Sequence, residues 1–179
     1  MQLETARLRI RPFILDDEAA AIAFFTDPDF MVWSLDGALS REGARSKLRD
    51  LIALYEERGF SKLILTEKAS GCRIGYCGFG WEPIEGAPEP ELGYRLLGSA
   101  RGRGLATEAA RAVIADAFTR VHMPFVRAFV EEANAPSRRV LGKLGLAYDR
   151  RVLLHGRDLL LYQPDRQSRD RDVETRSGG

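Results

Sequence analysis

Residues 98–118 read GSARGRGLATEAARAVIADAF, and no other run in the chain narrows the fold as much. Three glycines and two arginines fall within seven residues and lead directly into a helical pattern. Ala106, Ala110, Val113, Ala117 and Val121 recur at steps of three and four, so residues 105–121 are expected to form a helix with one apolar face. A glycine-rich turn feeding a helix start presents free backbone N–H groups and the positive end of the helix dipole. Together these make an anion site, most often for phosphate. The plainer alternative is a glycine-softened helix start whose arginines face solvent.

The rest of the chain alternates strand and helix signals around this elbow. RLRIRPF alternates polar and apolar residues and reads as a strand ending near Pro12. DDEAAAIAFF opens with acids, which favour a helix N-terminus, and continues with good helix formers. Residues 40–58 are expected to be a second helix, with Leu48, Leu51, Ile52 and Tyr55 on one face and Gly59 as its stop. Strands are expected at 61–66, 73–79, 91–97 and 125–130, and a hairpin over 147–154 and 158–162 around His155-Gly156. Residues 82–90 hold three prolines and a glycine and read as a loop. Asn134 is placed to cap a helix that ends at Leu144-Gly145. The order predicts one α/β domain over residues 1–163, with a mixed central sheet of about seven strands and about four helices. Residues 164–179 carry one aliphatic side chain among many charges and are expected to be a disordered tail.

Composition removes several function classes. The 179 residues suit one domain with a full core, and a net charge of +1 supplies no bulk field for nucleic acid or membrane. No apolar run approaches the ~20 residues of a membrane span, and the N-terminus lacks an apolar signal segment. Cys72 and Cys77, on opposite faces of a predicted strand, are not expected to pair. With two histidines in the chain, zinc-ligand spacing fails, so no metal is expected. A reducing, cytoplasmic setting fits.

Three phosphate motifs compete for the elbow. A Walker loop needs Gly-Lys-Ser/Thr, but Gly104 is followed by Leu105. A dinucleotide GxGxxG would place its third glycine at Thr107. RGRGLA satisfies Arg/Gln-x-x-Gly-x-Gly/Ala through Arg101, Gly104 and Ala106, and this resembles the acyl-CoA pyrophosphate loop of the GNAT superfamily of N-acetyltransferases. NAPSRRVLGKLGL is similar to the Asn-x-x-Ser-x-Arg-Val-Leu-x-Lys-Leu-Gly-Phe signature of its Rim-type branch, the ribosomal-protein N-terminal acetyltransferases and relatives. Asn134, Ser137, Arg139, Val140, Leu141, Lys143, Leu144 and Gly145 all match. LETARLRIRPF, IGYCGF, ELGYRL and ATEAA resemble further segments of that branch, in order, over residues 2–163. Departures are Arg101 for the branch's usual tryptophan, Gly98 for a proline and Leu146 for a phenylalanine. Leu141 stands where many GNAT enzymes carry a general-acid tyrosine.

The resemblance implies a GNAT fold whose fourth and fifth strands splay apart to receive acetyl-CoA. It implies a reaction in which a primary amine attacks the thioester. Backbone groups around Tyr94, Arg95 and Leu96 would meet the pantetheine arm and the thioester oxygen. N–H groups of Arg101, Gly102, Arg103, Gly104, Leu105 and Ala106 would hold the pyrophosphate. Asn134 would reach the pantetheine, and Ser137 would return a proton to the leaving thiolate. Glu91 and Glu131 are the candidate general bases, acting directly or through water. His122 and His155 read as structural. Trp33 and Trp81, in predicted loops, either cap the core or wall the acceptor pocket. Glu82, Glu85, Glu89 and Glu91 form either a solubilising loop or an acidic rim that draws in a cationic amine. The partners implied are acetyl-CoA and an amine acceptor, either a peptide N-terminus or a small amine such as an antibiotic or polyamine. A homodimer stays open. The rival on the same fold is a non-catalytic acyl-CoA sensor.

Overall fold

A computed structural model describes residues 1–84 and 87–164. Strands β1 (Leu3–Glu4) and β2 (Leu8–Pro12) lead through a short 3-10 turn at Leu15–Asp17 into helices α1 (Glu18–Phe25) and α2 (Arg41–Arg58). Strands β3 (Lys62–Glu67), β4 (Arg73–Ile84) and β5 (Ala87–Leu96) follow. Then come α3 (Leu105–Thr119), β6 (Ala128–Val130), α4 (Ala135–Lys143), β7 (Leu146–Leu154) and β8 (Arg157–Pro164). Helix boundaries follow local chemistry. The Ser40 hydroxyl accepts from Gly43 N–H at the head of α2, and Gly59, at φ 73°, closes its end through an N–H donated to Tyr55 O.

The strands form two antiparallel sheets, ordered β1-β2-β3-β4-β5 and β6-β8-β7. They touch through a parallel bridge between Glu91 and Arg127, where Leu92 N–H donates to Arg127 O at 2.8 Å. Beyond Leu92 the two strands part. This is the splay expected between the fourth and fifth strands, displaced in number by the extra short β1. Helix α3 covers one face, burying Leu105, Ala109, Ala110, Val113 and Ala117 against Leu92, Leu96 and Phe79. Helices α1 and α2 cover the other face around Phe24, Phe25, Phe30, Leu48, Leu51, Ile64 and Tyr76. Each face of β5 therefore meets a different core.

Three expectations need correction. Residues 82–90 are largely strand, not loop: β4 and β5 pair continuously from Gly75↔Leu96 to Ile84↔Ala87. Proline is tolerated here because β5 is the edge strand of its sheet, with one hydrogen-bonding side unpaired. The expected strand over 125–130 is short, Ala128–Val130, because β5 and β6 part after a single bridge and the longer pairing is with β8. The single sheet is two sheets with eight strands among the described residues. The expected tail begins at the end of β8 and otherwise lies outside the described residues.

Candidate active site in the splay between two sheets

The gap between β5 and β6 opens into a cleft of about 480 Å³. On the β5 side, strand alternation decides what each residue offers. Leu92 points its N–H toward the gap, so Tyr94 and Leu96, two and four residues on, point theirs the same way. Tyr94 N–H and C=O thus face the gap where no strand pairs with them, whereas Leu96 O accepts from Arg101 Nε at 2.9 Å. Arg95 pairs with Tyr76 on β4, which places its backbone groups on the side away from the gap.

The elbow follows β5 and leads into α3. Gly104 is the N-terminal cap of α3 at φ 78°, a conformation that L side chains adopt rarely, and it supplies no side-chain cap. Among the described residues none accepts from the N–H groups of Gly102, Arg103 or Gly104, and the first turn of α3, Leu105 and Ala106 included, is likewise uncapped. The arginines shape this loop from behind. Arg101 grips Asp29 through its carboxylate (3.0 Å) and carbonyl (3.0 Å), Arg103 pairs with Glu67, and Arg7 reaches Arg103 O at 2.9 Å. Glu108 completes the brace, accepting from Thr5 Oγ1 (2.6 Å), Arg7 N–H (2.8 Å) and Arg7 Nε (2.7 Å). Burial would raise the Glu108 carboxyl pKa, but these donors hold it below the usual range. The result is a row of outward N–H groups whose neighbouring side chains are already engaged.

Helix α4 forms the opposite wall. Asn134 Oδ1 accepts from Ser137 N–H at 3.1 Å, as expected of a cap. Ser137 Oγ lies 2.9 Å from the Tyr94 hydroxyl, which also donates to Ser137 O at 3.1 Å. This contact crosses the splay, and the sequence reading missed it by assigning Tyr94 only a backbone role. The signal was present: Leu92, Tyr94 and Leu96 share the face that packs toward α3 and α4. Burial pushes the Tyr94 phenol well above its ordinary pKa, partly offset by the Ser137 hydrogen bond, so it stays protonated. Leu141 is buried in the core, so no hydroxyl enters from that position. Arg139 and Lys143 lie on the exposed face of α4.

The α1/α2 face of β5 carries the charges. Lys62 Nζ bonds Glu91 Oε2 at 2.7 Å, with both side chains 16% exposed. A side chain at Gly93 would sit 2.4 Å from that ammonium, so glycine there makes room for it. Glu131 pairs with Arg157, whose guanidinium also reaches Ser34 O at 3.4 Å. Glu82 meets His155 Nε2 at 2.8 Å, and Glu89 pairs with Arg127. Of the expected acidic rim, Glu82, Glu89 and Glu91 are described, each with a basic partner, and Glu85 lies outside the described residues. Glu89 and Glu91 are ion-paired and Glu82 is hydrogen-bonded to His155, so these three do not form a free negative surface. Trp81 packs at a tilt against Phe60 (ring centroids 5.5 Å apart) with Arg58 over its ring, so it caps the core while also lining the cleft, as half-exposed Trp33 does. Burial pushes the Cys77 thiol up to about 12, which removes it as a nucleophile. Among the described residues no group of three or more His, Cys, Asp or Glu could hold a metal ion, and no helix is long and apolar enough to cross a membrane.

Residues 7–147 match the acetyltransferase (GNAT) domain family. The chain belongs to that family. It has an α/β acetyltransferase fold, and the elbow lies within the matched residues. Among curated proteins it is 29% identical over 163 residues to the uncharacterized protein YkkB of Bacillus subtilis, spanning 90% of this chain and 94% of that one. An acetyltransferase structure from Agrobacterium tumefaciens superposes with a TM-score of 0.79 at 25% identity, covering 93% of this chain and 95% of the other. Rim-type structures share the fold. RimL, a ribosomal L7/L12 α-N-protein acetyltransferase determined in complex with coenzyme A, gives a TM-score of 0.76 at 19% identity, covering 91% and 97%.

Proposed function

We propose that this GNAT protein is an N-acetyltransferase that moves the acetyl group of acetyl-CoA to a primary amine. The observation that carries the reading is the run of unpaired N–H groups at Gly102–Ala106, reached along β5 from a gap edged by free backbone groups of Tyr94. The residues fit the cofactor. The uncapped helix start suits a pyrophosphate, with open space around Gly102 and only Arg7 near Gly104. The polar edge of β5 and the Asn134 side chain suit the pantetheine amides. Acetyl-CoA supplies the activated acyl group and a thiolate leaving group.

The chain's own residues divide the proton work. An amine must lose a proton before it attacks, and an α-amino group lies about one pKa unit above neutral pH. Glu91 and Glu131 each keep one carboxylate oxygen out of their ion pairs. Either can take that proton directly or through water. On the other side Ser137 returns a proton to the thiolate and regains one from solvent, and Tyr94, 2.9 Å away, orients its hydroxyl.

Ser137→Ala is expected to lower kcat tenfold or more while acetyl-CoA binding stays nearly constant. Tyr94→Phe should shift kcat in the same direction by a smaller factor. Free-thiol release under conditions where chemistry is rate-limiting reads both. Wild-type kcat in Ser137→Ala would return the serine to a helix-turn role. The overall reading is tested by thiol release with peptides bearing free N-termini and with small amines. Tight acetyl-CoA binding without turnover of any of them would favour a sensor instead.

A further inference from the structure

Four cations line the cleft: Lys47, Lys62, Arg95 and Arg157. Lys62 is matched by Glu91, and Arg157 by Glu131. Lys47 is exposed on α2, and Asp36, an exposed carboxylate, stands in the loop before that helix. Arg95 differs from all of these. It is half-buried on the α1/α2 face of β5, and its guanidinium donates to Met31 Sδ at 3.1 Å. Among the described residues no carboxylate pairs with it. A thioether is a weak acceptor, and a guanidinium carries five donors in a planar fork. A half-buried guanidinium at a cleft wall, held by one weak thioether acceptor and matched by no carboxylate of the described residues, is placed to receive an anion from outside the chain.

Resting on the amine-acceptor reading, we infer that the acceptor is a small primary amine carrying a carboxylate, an amino-acid-like compound whose anion is received by Arg95. The fork of Arg95 matches a carboxylate bidentately. The face is the right one. Arg95 shares it with Glu91, two positions removed from Gly93, whereas the elbow that suits the pyrophosphate lies at the head of α3. The three glutamates that line the cleft are engaged: Glu91 by Lys62, Glu131 by Arg157 and Glu82 by His155. Two of these pairs also narrow the mouth. Glu82–His155 joins β4 to the β7–β8 turn, and Arg157 joins β8 to the loop at Ser34. A compact acceptor suits such a mouth better than a polypeptide.

The test compares α-, β- and γ-amino acids with their own amides as acceptors, read by thiol release. Wild-type protein should favour acid over amide at least tenfold in kcat/KM for one spacing, and Arg95→Gln should bring that ratio close to one. A second arm needs no turnover: calorimetry of N-acetyl amino acids and their amides on the coenzyme A-loaded protein. The acids should bind more tightly, and Arg95→Gln should erase the difference. Carboxylate-dependent binding without turnover of any amine would leave Arg95 in its role and sink the amine-acetylation reading instead. Amides that bind and react as well as acids would overturn the inference, as would an acid preference that survives Arg95→Gln. A loss of acetyl-CoA affinity in Arg95→Gln with the acid preference intact would overturn it too, by placing Arg95 on the cofactor.

Discussion

Gly104→Val is expected to weaken acetyl-CoA binding at least tenfold, or about 1.4 kcal/mol. Two effects add. Gly104 sits at φ 78°, where a β-branched side chain is strained, so the cap of α3 must shift and turn its neighbours' N–H groups off target. The new side chain also occupies ground that the backbone otherwise offers to an anion. Surrounding space is open, with Arg7 Nη2 at 3.6 Å the nearest contact, so the damage should stay local. Calorimetric titration of a variant with wild-type circular dichroism decides the matter, and unchanged affinity would remove the elbow from the site. Should Gly104→Val fail to fold, Gly102→Val tests the same row of donors, at φ 73° with nothing within 4 Å of its added carbon.

The second large effect concerns stability. Asp17 is fully buried and receives Arg11 through two bonds (2.7 and 2.8 Å), Arg73 Nε (2.8 Å) and Ile14 N–H (3.0 Å). One carboxylate thereby ties β2, β4 and the turn before α1. Burial alone would raise its pKa. The hydrogen bonds from Arg11 and Ile14, with both guanidinium charges, outweigh that and leave it lowered. Asp17→Asn should cost about 2–3 kcal/mol, less than a fully buried pair because both arginines reach solvent. The melting temperature should fall by roughly 5–10 °C. The sign in pH follows from the lowered pKa. The stabilisation is complete above the unfolded value near 3.9 and fades as pH falls through the lower folded value. Urea unfolding from pH 7 to pH 3 should show the gap between wild type and Asp17→Asn closing at the acid end. A gap that holds constant down to pH 3, or none at pH 7, would count against this account.

Much of the fold was legible from local pattern. The apolar steps of α2 and α3, Ser40 and Gly59 at the ends of α2, Asn134 at the head of α4 and the turn at His155-Gly156 all depend on neighbours within a few residues. Such signals survive in a linear reading. The elbow was legible for the same reason, since an uncapped glycine at a helix start makes its own donors. Residues 82–90 misled because proline and glycine speak for a turn locally. An edge strand accepts them, and only the pairing partner shows which strand is at the edge.

The charged part of the site was a tertiary decision. Glu91, Glu131, Glu82 and Glu89 look alike as sequence, yet Lys62, Arg157, His155 and Arg127 meet them from as far as 73 residues away and engage each carboxylate. Tyr94 reaches Ser137 across 43 residues, and Asp17 joins Arg73 across 56. Residue types and local periodicity determined the helices, most strands and the glycine turn at the head of α3, because those depend on backbone geometry over one or two turns. Which carboxylates were engaged, which hydroxyl faced which, and that Arg95 met a thioether and no carboxylate of the described residues were settled when strands from distant parts of the chain came side by side, because Coulomb and hydrogen-bond energies depend on distance in space and not along the chain.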